Sequence, residues 1–177
     1  MQEPDAILVE AAVKGDADSF TELCRRYYSA MVAIAHSVLG DRHLAEDAAQ
    51  EAFAKAALSL SRLRRKNKFA GWLATICRNE ARDMARRTDD LHSIDELSTK
   101  PHESDRKDNA DIVRQAIGSL SASARELVFL RYYDGLSYEQ ISAVLGLSQQ
   151  AINGRLRRAK KKMAGYLRRH GYDQVRS

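Results

Sequence analysis

An all-α fold of two small helical domains, joined by a flexible acidic linker, is predicted by three features of the chain. Apolar residues recur at three- and four-residue spacing in two separate blocks, the stretch between the blocks loses that period, and β-branched alternation is scarce throughout. Only two prolines interrupt 177 residues. The formal charge is +5 at pH 7, and its distribution is uneven. Bases crowd into Arg62 to Lys68, Arg78 to Arg87 and Arg155 to Arg169, whereas the first sixty residues and Asp89 to Asp111 lean acidic. Such asymmetry marks some surfaces for nucleic acid and others for different partners.

Within the first block, Asp5 is expected to cap a helix through Val13 that Gly15 and Asp16 end, and Asp18 or Ser19 to cap the next. There Phe20, Leu23, Tyr27, Met31, Ile34 and Val38 repeat as far as Gly40. A third helix, from about His43 to Leu60, turns Leu44, Ala48, Phe53 and Leu58 inward and Glu46, Asp47, Gln50 and Glu51 outward. By spacing alone the acidic side reads as an ordinary solvated face. A basic loop, Ser61 to Lys68, leads into FAGWLATICRNEARDMARR, with Phe69, Trp72, Leu73, Ile76 and Met84 on one side and Arg78, Arg82 and Arg86 on another, beside Asn79, Asp83 and Arg87. A packed aromatic side, an arginine side and a preceding cationic loop suit a nucleic-acid surface. Trp72 alone reads as core, and Asp83 also suits pairing with arginines one turn away.

From Thr88 to about Asn109 polar residues dominate, so a flexible acidic linker is expected over 90–110. This leaves domains at 1–89 and 111–172 and a short tail at 173–177. In the second domain Ile112, Val113, Ala116 and Leu120 restore the helical period, which continues through Leu127, Val128 and Leu130 to Asp134 and Gly135. Leu136 to Met163 then reads as two helices around a tight turn. Ser137 with Gln140 forms a capping-box signature, Gly146 stops the first helix, and Ser148 caps the second. Ile141, Val144, Leu145, Leu147, Ile152 and Leu156 form a shared core, with small Ser142 where the helices approach.

The outward positions of the second helix carry Gln149, Gln150, Asn153, Arg155 and Arg158. Amides match adenine edges, arginines match guanine, and surrounding cations hold phosphates, so this is a helix-turn-helix laid in a major groove. A lysine-rich amphipathic hairpin that serves only solubility is the plainer alternative. Gly154 is unusual in mid-helix, where glycine costs about 1 kcal/mol relative to alanine. Cys24 and Cys77 are far apart and fit reduced packing positions, without metal-ligand spacing. No cofactor is expected. Nor does a Gly-rich phosphate loop or nucleophile–base arrangement point to an enzyme. The N-terminus lacks a signal-peptide pattern and no segment approaches membrane-spanning length, so a cytoplasmic location is expected.

Three pieces, LAEDAAQEAF, the FxxWLxxIxRNxxxDxxRR pattern from Phe69 to Arg87, and LRYYDGLSYEQISAVLGLS, stand in an order that resembles the extracytoplasmic-function group of bacterial RNA polymerase sigma factors, within the sigma-70 superfamily. The resemblance implies a protein that binds core RNA polymerase and directs it to promoters. Its N-terminal domain would open the minus-10 element and its C-terminal domain would read the minus-35 element. Asp41, Glu46, Asp47, Gln50 and Glu51 would face the polymerase, which replaces the solvated-face reading. The loop from Leu63, with Arg64, Arg65, Lys66, Asn67 and Lys68, would capture an unstacked base beside Asn79, Arg82, Asp83, Arg86 and Arg87. Ser148, Gln149, Gln150, Asn153, Arg155 and Arg158 would read the upstream element. An anti-sigma factor clamped between the domains is a further implied partner. Three departures from the family pattern stand out: Ser121-Ala122 replaces a common Pro-Pro, Asn153-Gly154 a common Lys-Ser, and Ala49 a larger aliphatic. The different-class alternative is a stand-alone helix-turn-helix regulator that binds paired half-sites as a dimer.

Overall fold

A computed structural model describes residues 3–95 and 109–172, and among them every regular element is helical. The N-terminal domain comprises α1 (Asp5–Val13), α2 (Ala17–Leu39), α3 (Arg42–Ser59) and α4 (Phe69–Asp95), with short 3-10 turns at Leu60–Arg62 and Lys66–Lys68 before α4. Helices α2, α3 and α4 pack mutually. Their buried faces combine Leu23, Met31, Ile34, Phe69 and Leu73 with a run of alanines from all three helices. Small side chains let helix axes approach closely.

Two caps differ from the expected ones. Asp16, not Asp18 or Ser19, occupies the N-cap of α2, accepting from the Asp18 amide at 3.1 Å and from the Ser19 hydroxyl at 2.5 Å. Asp5 is the first helical residue after Pro4, and its carboxylate accepts from Arg26 and the Tyr27 hydroxyl, tying α1 to α2 instead of capping α1. Burial and this bond to Asp5 push the Tyr27 phenol well above its ordinary pKa.

Helix α3 turns Ala48 and Phe53 inward as expected but not Leu58, and fills the rest of its inner stripe with alanines. Ala45, Ala48, Ala49, Ala52, Phe53 and Ala56 are buried, Leu44 is half-buried, and Leu58 is 87 % exposed. At 3.6 residues per turn Leu58 lies about 140° around the helix from Phe53, so both cannot face one core. Helix α4 runs on to Asp95, past the loss of apolar period at Thr88, since no glycine or proline stops it. The remainder of the expected linker, 96–108, and the tail at 173–177 lie outside the described residues.

The C-terminal domain holds α5 (Asn109–Gly118), α6 (Ala122–Val128), a π-turn over Phe129–Tyr133, α7 (Tyr138–Leu145) and α8 (Gln149–Arg169). Ile112, Ala116, Leu120, Leu127, Leu130, Ile141, Ile152 and Leu156 are buried, while Val113 lies on the opposite, exposed side of α5. Ser121 occupies the N-cap position of α6, yet its side chain makes no capping bond. The helix-turn-helix forms as its sequence dictates. Ser137 and Gln140 complete a reciprocal capping box, Gly146 takes a left-handed φ of 67°, and Ser148 accepts from the Ala151 amide at 3.2 Å. The Ser142 hydroxyl donates to the Leu147 carbonyl at 2.6 Å, closing the turn itself.

The two domains pack on each other. Buried His36, near the end of α2, stands edge-on to Phe129 and Tyr133, with ring centroids 4.9 and 4.7 Å away. Its Nδ1 and the Asp134 Oδ2 are buried without hydrogen-bond partners. Burial lowers the His36 pKa from 6.5 and raises that of Asp134 from 3.8, against the fields of Asp134 and Asp41 and of Arg42. Because folded His36 resists protonation, the unfolded chain binds the extra proton, and stability falls as pH drops below about 6.5. Asp134, taking up its proton more readily when folded, acts in the opposite sense at lower pH. We predict a thermal midpoint that declines below about pH 6.5 in the native chain, and a flatter profile over that window in His36→Gln.

Candidate polymerase and nucleic-acid interfaces

The acidic surface is built on the outer face of α3. Asp41 caps the helix, accepting from the Leu44 amide at 2.9 Å, and this bond holds its carboxyl below the usual range. Asp47, Gln50 and Glu51 follow at helical spacing and are exposed; Glu46 is partly covered and accepts from Arg42 at 2.9 Å. Ala49 is fully buried, so its small size serves helix packing and leaves the outer face unchanged.

A second surface joins the basic turn to α4. Buried Leu63 anchors the turn, and the Lys68 amide donates to the Arg65 carbonyl at 2.9 Å. These restraints display Arg64, Arg65, Asn67 and Lys68 in solvent with Lys66 half-covered. Asn79, Arg82, Asp83, Arg86 and Arg87 are exposed further along α4, where Arg86 pairs with Asp83 at 3.3 Å. Asn79 is ten residues beyond Phe69, about 15 Å along the axis. Turn and arginine face thus form one elongated cationic strip. Trp72 is half-buried against Phe69, with ring centroids 6.0 Å apart, between a pure core role and full exposure.

Two polar pairs escaped sequence reasoning. Glu80, buried within the N-terminal domain, accepts from Lys55 at 2.6 Å, and this pairing raises the lysine pKa. Arg78 leaves the arginine strip altogether, for the C-terminal domain. Neither residue carries a local signal, because each partner is distant in sequence. Cys77, also buried, donates to the Met31 carbonyl at 3.2 Å, and burial pushes its thiol up to about 12. It is a packing residue.

The third surface is α8. Ile152, Leu156 and Ala159 point into the domain, while Ser148, Gln149, Gln150, Asn153, Arg155 and Arg158 are exposed. Neither of those arginines pairs with a carboxylate among the described residues. Lys160 lies over the ring of Tyr132, 4.7 Å from its centroid. No cluster of metal-ligand type occurs among the described residues. No described helix is long and apolar enough to cross a membrane.

Helical domains bearing an acidic helix face, a cationic strip and a helix-turn-helix define a class of transcription proteins that touch both protein and DNA. Residues 23–90 match the Sigma-70 region 2 family and residues 110–163 match Sigma-70, region 4. The chain is 30 % identical to the ECF RNA polymerase sigma-E factor of Escherichia coli, over 89 % of this chain and 91 % of that one. It is 29 % identical to the ECF RNA polymerase sigma factor SigE of Mycolicibacterium smegmatis, covering 90 % of this chain and 65 % of that longer protein. Among solved structures, CnrH in complex with the cytosolic domain of CnrY superposes with a TM-score of 0.62 at 28 % identity, covering 94 % and 99 % of the two chains. The sigma factor RpoE of Bartonella quintana, in complex with the anti-sigma factor NepR, gives 0.54 at 26 % identity over 86 % and 98 %. The chain belongs to the extracytoplasmic-function group of RNA polymerase sigma factors, which are promoter-specific transcription initiation factors.

Gly154 tests the recognition helix directly. A Cβ there would lie 3.7 Å from an Arg158 nitrogen, an ordinary contact, and the residue has helical backbone. Gly154→Ala is therefore expected to stabilise the chain by up to about 1 kcal/mol, read as a raised thermal midpoint. Weaker promoter binding by the same variant would show that DNA approaches the helix at this residue.

Proposed function

We propose that this chain binds core RNA polymerase through the outer face of α3 and carries it to promoters that its two cationic surfaces recognise in turn. The observation that carries the reading is the separation of charge within the N-terminal domain. Carboxylates crowd the outer face of α3 around Asp47 and Glu51, while cations occupy the turn before α4 and the exposed side of that helix. One domain can thereby face a protein partner and DNA simultaneously, as an initiation factor must.

The residue roles follow from chemistry. Asp41, Glu46, Asp47, Gln50 and Glu51 offer a carboxylate and amide stripe to a basic polymerase surface. Arg64, Arg65, Lys66, Asn67 and Lys68 receive a base taken from the stack, with Asn79, Arg82, Asp83, Arg86 and Arg87 guiding the strand. Unstacking costs a few kcal/mol, which pocket contacts offset. Ser148, Gln149, Gln150, Asn153, Arg155 and Arg158 read the upstream duplex through the major groove. The protein acts in the cytoplasm by binding, without catalysis of its own. Domains at 1–89 and 111–172, tethered through 90–110 and mounted together on polymerase, make the second DNA contact effectively intramolecular. Similarity to RpoE bound to NepR also supports an anti-sigma factor as a partner here.

Replacing Asp47 and Glu51 by lysine is expected to weaken polymerase binding at least tenfold, since like charges facing each other at an interface cost several kcal/mol. Calorimetry with core polymerase checks it; unchanged affinity would return α3 to the role of a solvated face. Arg155→Ala is expected to lower promoter binding by the assembled holoenzyme, by about 1–3 kcal/mol if it pairs with guanine. Polymerase affinity should stay unchanged in that variant. Equal loss of both would make Arg155 structural.

A further inference from the structure

The turn assigned to base capture has little of its own to hold it in place. Lys66–Lys68 is a single 3-10 turn, and Arg65 before it makes no side-chain capping bond. Backbone bonds run from the Lys68 amide to the Arg65 carbonyl at 2.9 Å and from the Phe69 amide to the Lys66 carbonyl. Ordering each residue of a loop costs conformational entropy that so few bonds do not offset. Telling one base from another needs a pocket held to within about 0.5 Å, so the restraint must come from what packs behind the turn.

Helix α1 packs there, against the turn as well as against α2 and α4. Leu8 and Val9 are its buried residues, and at nine residues it is too short to persist as an isolated helix in water. Its place depends on Asp5. That carboxylate accepts from Arg26 Nη1 through Oδ1 and from the Tyr27 hydroxyl through Oδ2, and the same Arg26 nitrogen donates to the Glu3 carbonyl at 3.0 Å. The side chains of Arg26 and Asp5 keep only 14 % and 18 % of their exposure, so solvent screens this pair less than a surface pair.

Tyr27 carries the tie to the turn itself. Its buried ring lies 5.8 Å from that of Phe69, centroid to centroid, tilted by 52°. Phe69 is fully buried and is the residue whose amide closes the turn. Asp5 also lines the cleft of about 340 Å³ that contains Asn67 and Lys68. Two routes therefore run from one carboxylate to the turn, one through α1 packed behind it and one through Tyr27 and Phe69 at its end.

We propose that Asp5 is a positioning residue for base capture: its bonds to Arg26 and Tyr27 fix α1 and the Tyr27–Phe69 pair behind Lys66–Lys68, and so set the pocket in which Asn67 and Lys68 discriminate the unstacked base. The proposal rests on the reading of Arg64 to Lys68 as the base-capturing turn and adds to it a residue that does not touch DNA. Without the carboxylate the turn keeps its chemistry but takes several positions. A pocket that fits every base loosely prefers none of them strongly.

Asp5→Ala removes both bonds, Tyr27→Phe removes one and keeps the ring on Phe69, and Asp5→Glu returns a carboxylate on a longer arm. Each full-length variant is assembled with core polymerase and given a promoter library randomised across both elements, and sequencing of the transcripts yields the base preference at every position. In Asp5→Ala the preference at the most discriminating minus-10 position should fall about fivefold or more. Tyr27→Phe should lose less, Asp5→Glu should recover part of the loss, and the minus-35 preferences should stay native in all three. A role in stability alone would lower transcript yield with every preference native, or erode both elements together, and either result would overturn the proposal. If circular dichroism shows Asp5→Ala unfolded at the assay temperature, Tyr27→Phe decides alone, and a native minus-10 preference in that variant would sink the assignment. A native chain that gives no protein-dependent starts, or starts without a minus-10 preference, would instead remove the base-capture reading, so the two failures are distinct.

Discussion

Close packing of α2, α3 and α4 through alanine is the constraint on which the other features depend. Ala30, Ala33 and Ala35 of α2, Ala45, Ala48, Ala49, Ala52 and Ala56 of α3, and Ala70, Ala74 and Ala81 of α4 are all buried. With side chains this small, the helices leave little room between them for long polar residues; apart from Glu80, which is buried and held by Lys55, the charged side chains of α3 and α4 named above lie on the outer faces. This packing sends Asp47 and Glu51 outward from α3 and Arg82, Arg86 and Arg87 outward from α4. Replacing such an alanine by a larger residue would overpack a tight core, typically at about 1–3 kcal/mol, and would tilt both charged faces together.

The same geometry explains which expectations were legible in the chain. Helix existence, the capping box at Ser137 and Gln140, the left-handed Gly146 and the Ser148 cap are local, and the structure contains each of them. Leu58 misled because a search for large apolar residues overlooks an alanine seam, and the buried stripe of α3 runs on the other side of the helix. Val113 misled for a related reason, being adjacent to a correctly placed Ile112. Asp5 departs from the expected cap because capping competes with tertiary pairing: Arg26 and Tyr27, 21 and 22 residues away, claim its carboxylate.

For the functional surfaces, exposure of the recognition-helix side chains follows directly from a 3.6-residue period anchored by Ile152 and Leu156. The same period sets Arg78 on one face with Arg82 and Arg86, yet its partner Glu126 lies 48 residues away. Periodicity assigns a face but not what covers it. The π-turn at Phe129–Tyr133 had no signature either, since it extends α6 without an interruption in composition. Contacts between domains join residues far apart in the chain, whereas the sigma-factor resemblance rests on local motif order and agrees with both family matches.

The measurement that bears most directly on the account is run-off transcription by purified core polymerase over a randomised promoter library, with and without this protein, followed by sequencing of the transcript starts. The account requires starts that depend on the protein and share two spaced sequence elements, the upstream one altered when Gln149, Gln150 or Asn153 is replaced. DNA binding by the protein alone at paired, palindromic half-sites, with no new starts, would contradict it and identify a stand-alone regulator instead.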